Sequence, residues 1–232
     1  MLEKKIKNKR YSCNIKILSL LFSLILSMDN NQLLSELRNE RNWTLLEMRS
    51  DSINVYEKKI KGLKLRALKV EKVVAYNASS VLDIVLDINN YPTIMKNDDV
   101  QSFIVGQKNN NVYAYNYFPI PIPFIDDRHY LFKIQRLNDM ELNWSLVGMS
   151  EVKKSSKLKS IIDKNSDAVY LNSGAGYWKI NNLADNISKV SYILYMDSGG
   201  SLTATLNDYF ASQSIINLFK NILRESYKRE FK

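Results

Sequence analysis

The most unusual polar residue of this chain is an arginine on the apolar face of a predicted strand. The alternation over 128–137 places Arg128 on the same face as Tyr130 and Phe132. A buried guanidinium is costly unless it meets a carboxylate, a carbonyl or the polar end of a ligand. Asp126 lies two residues away on the same side and is a candidate partner. The alternative is that Arg128 is a strand-end residue whose charged head reaches water.

Residues suited to catalysis are few. The single histidine, His129, falls on the opposite strand face from Arg128, where a hydrogen-bonding role is favoured over general-base work. Asp126 and Asp127 are neighbours on a strand, so their carboxylates point apart and cannot flank one bond. The one cysteine, Cys13, precedes the folded domain, and a chain with one histidine offers no metal cluster. We therefore predict no catalytic residue, no metal and no cofactor.

Aromatic residues mark other predicted strands. Tyr113 and Tyr115 share one face of the strand 111–118. Tyrosines can line a cavity while offering a hydroxyl to a ligand, but such a stripe can equally form an outer surface, and the sequence leaves both open. Trp144 and Trp178 sit among aliphatic residues of their own strands, as wall or core residues do.

These residues need a scaffold, which the hydrophobic periodicity predicts to be mostly antiparallel strands. Residues 29–41 are predicted to form a short amphipathic helix. A second short helix is predicted to begin at a cap within 77–80 and to end at Asn89–Pro92. Consecutive hairpins follow, and 153–159 is predicted to be a basic loop. The strand predictions are 53–58, 63–70, 100–106, 111–118, 128–137, 141–149, 167–180 and 188–197, after a strand that opens the segment 41–92.

The longest helical pattern lies near the carboxyl end, from Leu206 to Tyr227. Phe210, Ile215 and Phe219 belong to its broad apolar face. A curved antiparallel sheet wrapped around this helix would bury both apolar surfaces, so the predicted class is α+β.

Three segments resemble START (StAR-related lipid-transfer) domains, which have a helix-grip fold. Residues 116–132, NYFPIPIPFIDDRHYLF, resemble the segment in which a proline-rich turn leads into an arginine at a strand start. Residues 174–178, GAGYW, with the strand at 191–196, resemble a motif near the family's end. Residues 197–224 resemble its Gly-Gly turn and final helix. The likeness covers about residues 40–226.

The resemblance implies an internal cavity between the sheet and the last helix. It implies that the arginine contributes a polar spot there and that a lipid or other hydrophobic molecule is bound without catalysis, either for transfer or for another purpose. The chain departs from the family at His129, where an acidic residue is usual, and at Thr203, where proline is usual. The predicted ligand-binding residues are Arg128, Tyr130, Phe132, Tyr113, Tyr115, Trp144, Trp178, Phe210, Ile215 and Phe219.

Two alternatives remain. One is an enzyme resembling the polyketide cyclases and aromatases of the same superfamily, which would need acid or base groups inside the cup. The other is a protein-interaction domain with a filled interior. A solidly packed interior would favour the second alternative.

The net charge and residues 1–28 indicate which partners and which cellular location to expect for the protein. The net charge is +9, but six Lys or Arg residues and one glutamate within 1–27 supply +5 of it, so nucleic-acid binding is not predicted. Residues 1–28 have the layout of a signal peptide or short membrane anchor, and 29–232 form the binding domain. We expect an exported monomer. The lysines of 153–159 favour a solvated loop, and the alternative is that they make a transient contact with an anionic membrane.

Overall fold

The computed structural model describes residues 28–197, 199 and 204–231, without the side chains of 204–211. The predicted leader, 1–28, therefore lies outside the described residues except for Met28, and so does the side chain of Phe210. No described helix is both long enough and apolar enough to cross a membrane.

The described residues form ten strands. They are β1 (Thr44–Met48), β2 (Asn54–Lys59), β3 (Arg66–Val74), β4 (Gln101–Lys108), β5 (Asn111–Phe118), β6 (Arg128–Asn138), β7 (Glu141–Leu146), β8 (Val169–Tyr170), β9 (Gly174–Ala184) and β10 (Ile187–Met196). The sheet order is β1-β2-β3-β10-β9-β7-β6-β5-β4, with every neighbouring pair antiparallel. The two-residue β8 pairs in parallel with the start of β6.

Helices cover both faces of this sheet. They are α1 (Asn30–Arg38), α2 (Val81–Leu86), α3 (Tyr91–Met95), α4 (Met149–Val152), α5 (Ser156–Ile162) and α6 (Ala204–Glu230). The long α6 packs its apolar side with α2, α3 and the inner face of the sheet in the largest core cluster, so the predicted helix-grip α+β fold is confirmed. On the outer face, α1 covers β9 and β10, while α4 and α5 cover β5 and β6.

Local chemistry explains most element starts. The Asp29 carboxylate accepts hydrogen bonds from two backbone N–H groups of α1, and Gln32 reciprocates in a capping box. Asn77 caps a 3-10 turn at Ala78–Ser80, which leads directly into α2. Lys96 ends α3 in the left-handed conformation.

Three local predictions are wrong. Pro92 does not end the helical region, because it occupies the first turn of α3, where its missing N–H costs nothing. The basic segment 153–159 is not a loop: most of it belongs to α5, whose buried Ile162 anchors it on the sheet. The predicted strand 167–180 is two strands, because residues 171–173 are not in strand conformation: β8 before them pairs with β6, and β9 after them pairs with β7 and β10.

Candidate functional site

A small cavity of about 40 Å³ lies where the inner face of the sheet meets α2, α3 and α6. Six aromatic side chains line it: Tyr91, Tyr130, Phe132, Trp144, Trp178 and Tyr192. The other described lining residues are Val85, Asn116, Ile134, Met196 and Leu218. All of these side chains are uncharged, so the described wall offers apolar surface and a few neutral polar groups.

Stacked aromatic rings lie between the sheet and α6. The Trp178 indole stacks with two rings: the Tyr192 ring centroid is 4.2 Å away at an interplanar angle of 10°, and the Phe219 centroid is 5.7 Å away at 15°. Trp178 comes from β9, Tyr192 from β10 and Phe219 from α6. This stack joins the helix to the centre of the sheet and limits the volume between them.

A chain of hydrogen bonds brings one polar group to the cavity wall. The Ser102 hydroxyl donates to Asn116 Oδ1 at 2.7 Å, and Asn116 Nδ2 donates to the Tyr130 hydroxyl at 3.2 Å. Ser102, Asn116 and Tyr130 lie on adjacent strands and share the inner face. Burial raises the pKa of Tyr130 to about 12, so its hydroxyl stays protonated.

Two further phenols border the same cavity. The Tyr91 hydroxyl donates to the Val85 carbonyl at 2.7 Å, and burial raises the pKa of Tyr91. Burial also raises the pKa of Tyr192 well above its ordinary value, and the neighbouring phenols of Tyr130 and Tyr91 add to the rise, while the Trp144 indole partly offsets it. The cavity therefore combines several hydroxyls with an apolar wall.

The structure brings four predicted site residues to the cavity: Tyr130, Phe132, Trp144 and Trp178. Ile215 and Phe219 are buried on the side of α6 that faces the sheet, in the same core cluster. Phe219 covers one face of Trp178. The side chain of Phe210 lies outside the described residues.

Arg128 is buried at the start of β6, with 7% of its surface exposed, so the alternative in which it reaches water is wrong. Its guanidinium donates to the backbone carbonyl of Asp126 and, at 3.5 Å, to that of Asp127. This hydrogen bond with Asp126 is thus accepted by the backbone carbonyl oxygen and not by the carboxylate. Burial lowers the pKa of Arg128, and the two aspartates partly oppose this. Arg128 is not among the described residues that line the cavity.

Tyr113 and Tyr115 do not line the cavity, so that part of the prediction is wrong. Both lie on the outer face of the sheet, in the cluster with α4 and α5. The Tyr113 hydroxyl donates to Glu151 at 3.1 Å, and the Tyr115 hydroxyl lies 3.1 Å from His129 Nδ1. The reason is strand parity: Asn116, the neighbour of Tyr115, faces inward.

His129 also lies on this outer face, as its position on the strand predicts. It is 2% exposed, in edge contact with the rings of Tyr115 and Tyr170, and burial lowers its pKa. Its surroundings are those of a packed hydrogen-bonding residue.

Sequence reasoning missed seven of the eleven described lining residues, and three of those carry polar groups: Tyr91, Asn116 and Tyr192. Asn116 carried a usable signal, because an amide at the centre of an aromatic strand needs a buried partner. Tyr91 was hidden in the segment interpreted as a helix stop. Tyr192 stands in an apolar run with nothing to distinguish it from core.

Solved structures with this fold include START proteins. A STAR-related lipid transfer protein fragment from Xanthomonas axonopodis matches with a TM-score of 0.63 at 18% identity, over 80% of this chain and 99% of that one. Human STARD10 matches at 0.64 and 16% identity, over 87% and 82%. Human StAR-related lipid transfer protein 5 matches at 0.62 and 13% identity, over 85% and 92%. No family model and no curated protein matches the sequence. The likeness establishes a START fold.

Proposed function

We propose that this protein binds a hydrophobic small molecule, without covalent chemistry, between the inner face of the sheet and α6. The observation that carries the proposal is the cavity itself. Six aromatic side chains and a few neutral polar groups line it. That combination is typical of small-molecule sites. The names of the START-fold structures as lipid transfer proteins support the same ligand class.

The cavity volume of about 40 Å³ means that binding requires movement. Sites for drug-sized ligands occupy about 300–1,000 Å³. Leu218 of α6 and Met196 at the end of β10 border the cavity, so a shift of α6 away from the sheet would enlarge it directly. A ligand that buries about 400 Å² of apolar surface gains roughly 10 kcal/mol before ordering costs, which can offset the loss of side-chain contacts.

A second function is favoured by the same small volume. If α6 stays in place, the interior is packed and the fold serves as a protein-interaction domain. The Trp178 stack against Phe219 is the contact that would hold such a closed domain together. The two functions differ in whether α6 moves, so ligand uptake separates them.

The enzyme alternative needs an acid or a base beside a substrate. Among the described lining residues, the titratable groups are three tyrosines whose raised pKa values favour the protonated form. They can donate hydrogen bonds at neutral pH. Because a tyrosine acts as a base in its deprotonated form, and a raised pKa disfavours that form, these tyrosines are poor bases. This composition supports binding over catalysis.

The test is native mass spectrometry of the full chain, with extraction of bound molecules and uptake from a mixed lipid panel. Leu218→Trp should fill the cavity and abolish uptake, whereas Asn217→Trp, on the exposed side of the same helix, should leave uptake unchanged. Circular dichroism checks that both variants fold. A wild-type protein that takes up nothing from the panel would contradict the proposal and favour the interaction domain.

Export and membrane contact remain proposals that rest on the sequence. Lys157 donates to the Val105 carbonyl at 2.7 Å and Lys159 pairs with Asp163, while Lys153 and Lys154 are exposed in the turn before α5. All four lysines are exposed, but Lys153 and Lys154 are the two without a side-chain hydrogen bond or ion pair among the described residues, and we propose them for contact with anionic lipid. Sedimentation with anionic vesicles, comparing the Lys153→Ala/Lys154→Ala variant with wild type, tests the contact. The mass of the protein after expression in an exporting host tests cleavage of the leader.

A further inference from the structure

We infer that the ligand is an apolar molecule whose polar end is a single uncharged oxygen group, such as a hydroxyl or a carbonyl. The inference rests on the proposed function and specifies its ligand class. It excludes molecules with a phosphate, carboxylate or quaternary ammonium at the buried end. Three features of the cavity carry it.

The first feature is the absence of charge from the described wall. The eleven described lining side chains are aromatic or aliphatic apart from Asn116 and the hydroxyls of three tyrosines. The nearest arginine along β6, Arg128, directs its guanidinium to the carbonyls of Asp126 and Asp127. Moving an ionised group from water into apolar surroundings is very costly unless an opposite charge meets it. An anionic end would find no cation among these residues.

The second feature is that two rings of the cavity wall, Trp178 and Tyr130, already stack on other rings. A cation can bind the face of a tryptophan, tyrosine or phenylalanine ring. The Trp178 ring already stacks with Tyr192, at 4.2 Å between centroids, and with Phe219, at 5.7 Å. The Tyr130 ring stacks on Phe118 at 6.0 Å and meets Phe132 in a T-shaped contact at 5.8 Å. These rings therefore offer little open face to an ammonium group.

The third feature is an available hydrogen-bond donor. A phenol has one O–H donor and two acceptor lone pairs. Tyr130 receives a hydrogen bond from Asn116, so its own proton remains for an oxygen placed in the cavity. Asn116 is oriented in turn by Ser102, which fixes the direction of the amide. The Tyr91 hydroxyl uses its proton on the Val85 carbonyl and keeps lone pairs to accept from a ligand O–H.

A matched set of probes separates the head groups. Hexadecanol, hexadecanoate at pH 8 and hexadecyltrimethylammonium share one chain and differ in the charge of the end. Each is titrated into the full-length protein below its aggregation concentration, and binding is measured by native mass spectrometry. We expect hexadecanol to bind at least about tenfold more tightly than either charged probe, a difference of about 1.4 kcal/mol.

A pair of variants tests the assigned hydroxyl. Tyr130→Phe removes the donor at the cavity wall and should weaken hexadecanol binding about tenfold. Tyr113→Phe removes a hydroxyl from the outer face of the same sheet and should leave binding unchanged. Thermal unfolding checks that both variants are folded.

The outcomes distinguish this inference from the proposed function. Binding of hexadecanoate or hexadecyltrimethylammonium as tight as that of hexadecanol would overturn the inference and leave hydrophobic binding standing. Equal hexadecanol binding by Tyr130→Phe and wild type would overturn the role of the hydroxyl. If none of the three probes, nor any lipid of the mixed panel, binds, the proposed function fails and this inference fails with it.

Discussion

The two faces of the β5–β6 hairpin carry similar residues and meet different layers of the fold. On the inner face, Asn116, Tyr130 and Phe132 border the cavity beneath α6. On the outer face, Tyr115 and His129 are packed under α5 and the turn that follows it. Both faces hold buried phenols and an amide, so residue type alone does not distinguish a cavity wall from a packed layer. The layer that covers each face makes the difference.

The outer face is a closed hydrogen-bond network. Asn165 Nδ2 donates to the Tyr115 hydroxyl at 2.6 Å, and that hydroxyl contacts His129 Nδ1. The Tyr117 hydroxyl donates to Asp127, and this bond, with burial, raises the pKa of Tyr117 to about 12. These polar groups have partners within the protein. On the inner face, the Tyr130 proton is available to a molecule in the cavity.

The largest expected effect comes from truncating the inner face. Phe132→Ala should lower the free energy of unfolding by about 3–5 kcal/mol, because Phe132 is 5% exposed and its removal leaves a cavity. The same change should increase uptake of apolar probes by widening the site. Urea denaturation and probe binding measure the two effects. Loss of stability without any gain in uptake would contradict the placement of Phe132 on a binding surface.

The corresponding change on the outer face should affect stability alone. Leu131→Ala removes a fully buried side chain under α4 and α5 and should cost about 2–5 kcal/mol. Ligand uptake by the folded variant should match wild type. Altered ligand selectivity in Leu131→Ala would show that the two faces are coupled.

A smaller effect is expected from the outer hydroxyl. Tyr115→Phe leaves the Asn165 amide and the His129 ring without their phenol partner, which should cost about 1–3 kcal/mol. Chemical denaturation measures the loss. Tyr227→Phe, at an exposed tyrosine, is the control and should be near neutral. A neutral Tyr115→Phe would indicate that the network contributes nothing to stability.

The outer network should also make stability depend on pH. Burial lowers the pKa of His129 in the folded state below its ordinary value near 6.5, so protonation favours the unfolded chain. This contribution is complete above about pH 6.5 and is lost as the pH falls from there towards the folded-state pKa. Urea denaturation across pH 5–8 should show the decline, and His129→Gln should flatten it. An identical profile in the variant would rule out His129 as its source.

The smallest effect is expected on the solvent side of α5. Lys159→Ala removes an ion pair with Asp163 in which both side chains are more than half exposed, and should cost no more than about 0.5 kcal/mol. Thermal unfolding at low and high salt measures it. A larger loss would mean that α5 is held in place by charge and not by Ile162 beneath it.

Strand boundaries were predictable where alternation is strong. The predicted strand 111–118 coincides with β5, and 128–137 differs from β6 by one residue. The two-residue period of side chains makes such segments readable without any tertiary information. The predicted helix from Leu206 to Tyr227 lies within α6 for the same kind of reason, since its apolar stripe recurs at helical spacing.

Two features were not predictable from the sequence: the short helix α5, and which face of β5 borders the cavity. Residues 153–159 carry four lysines and little apolar periodicity, so their helix depends on packing against the sheet. Trp144 and Trp178 were predicted as wall residues from their strand positions, whereas Tyr113 and Tyr115 were assigned to a cavity on the opposite face. A strand pattern separates two faces but does not say which one receives the long helix.

The amino-acid sequence by itself determined the alternation of each strand, the apolar stripe of the last helix and hence the α+β class, because these follow from local backbone geometry. Tertiary structure decided which face of the β5–β6 hairpin meets α6 and that Tyr91, Asn116 and Tyr192 converge there. It also decided that the cavity is about 40 Å³, because volume depends on how distant side chains such as Trp178 and Phe219 pack against each other.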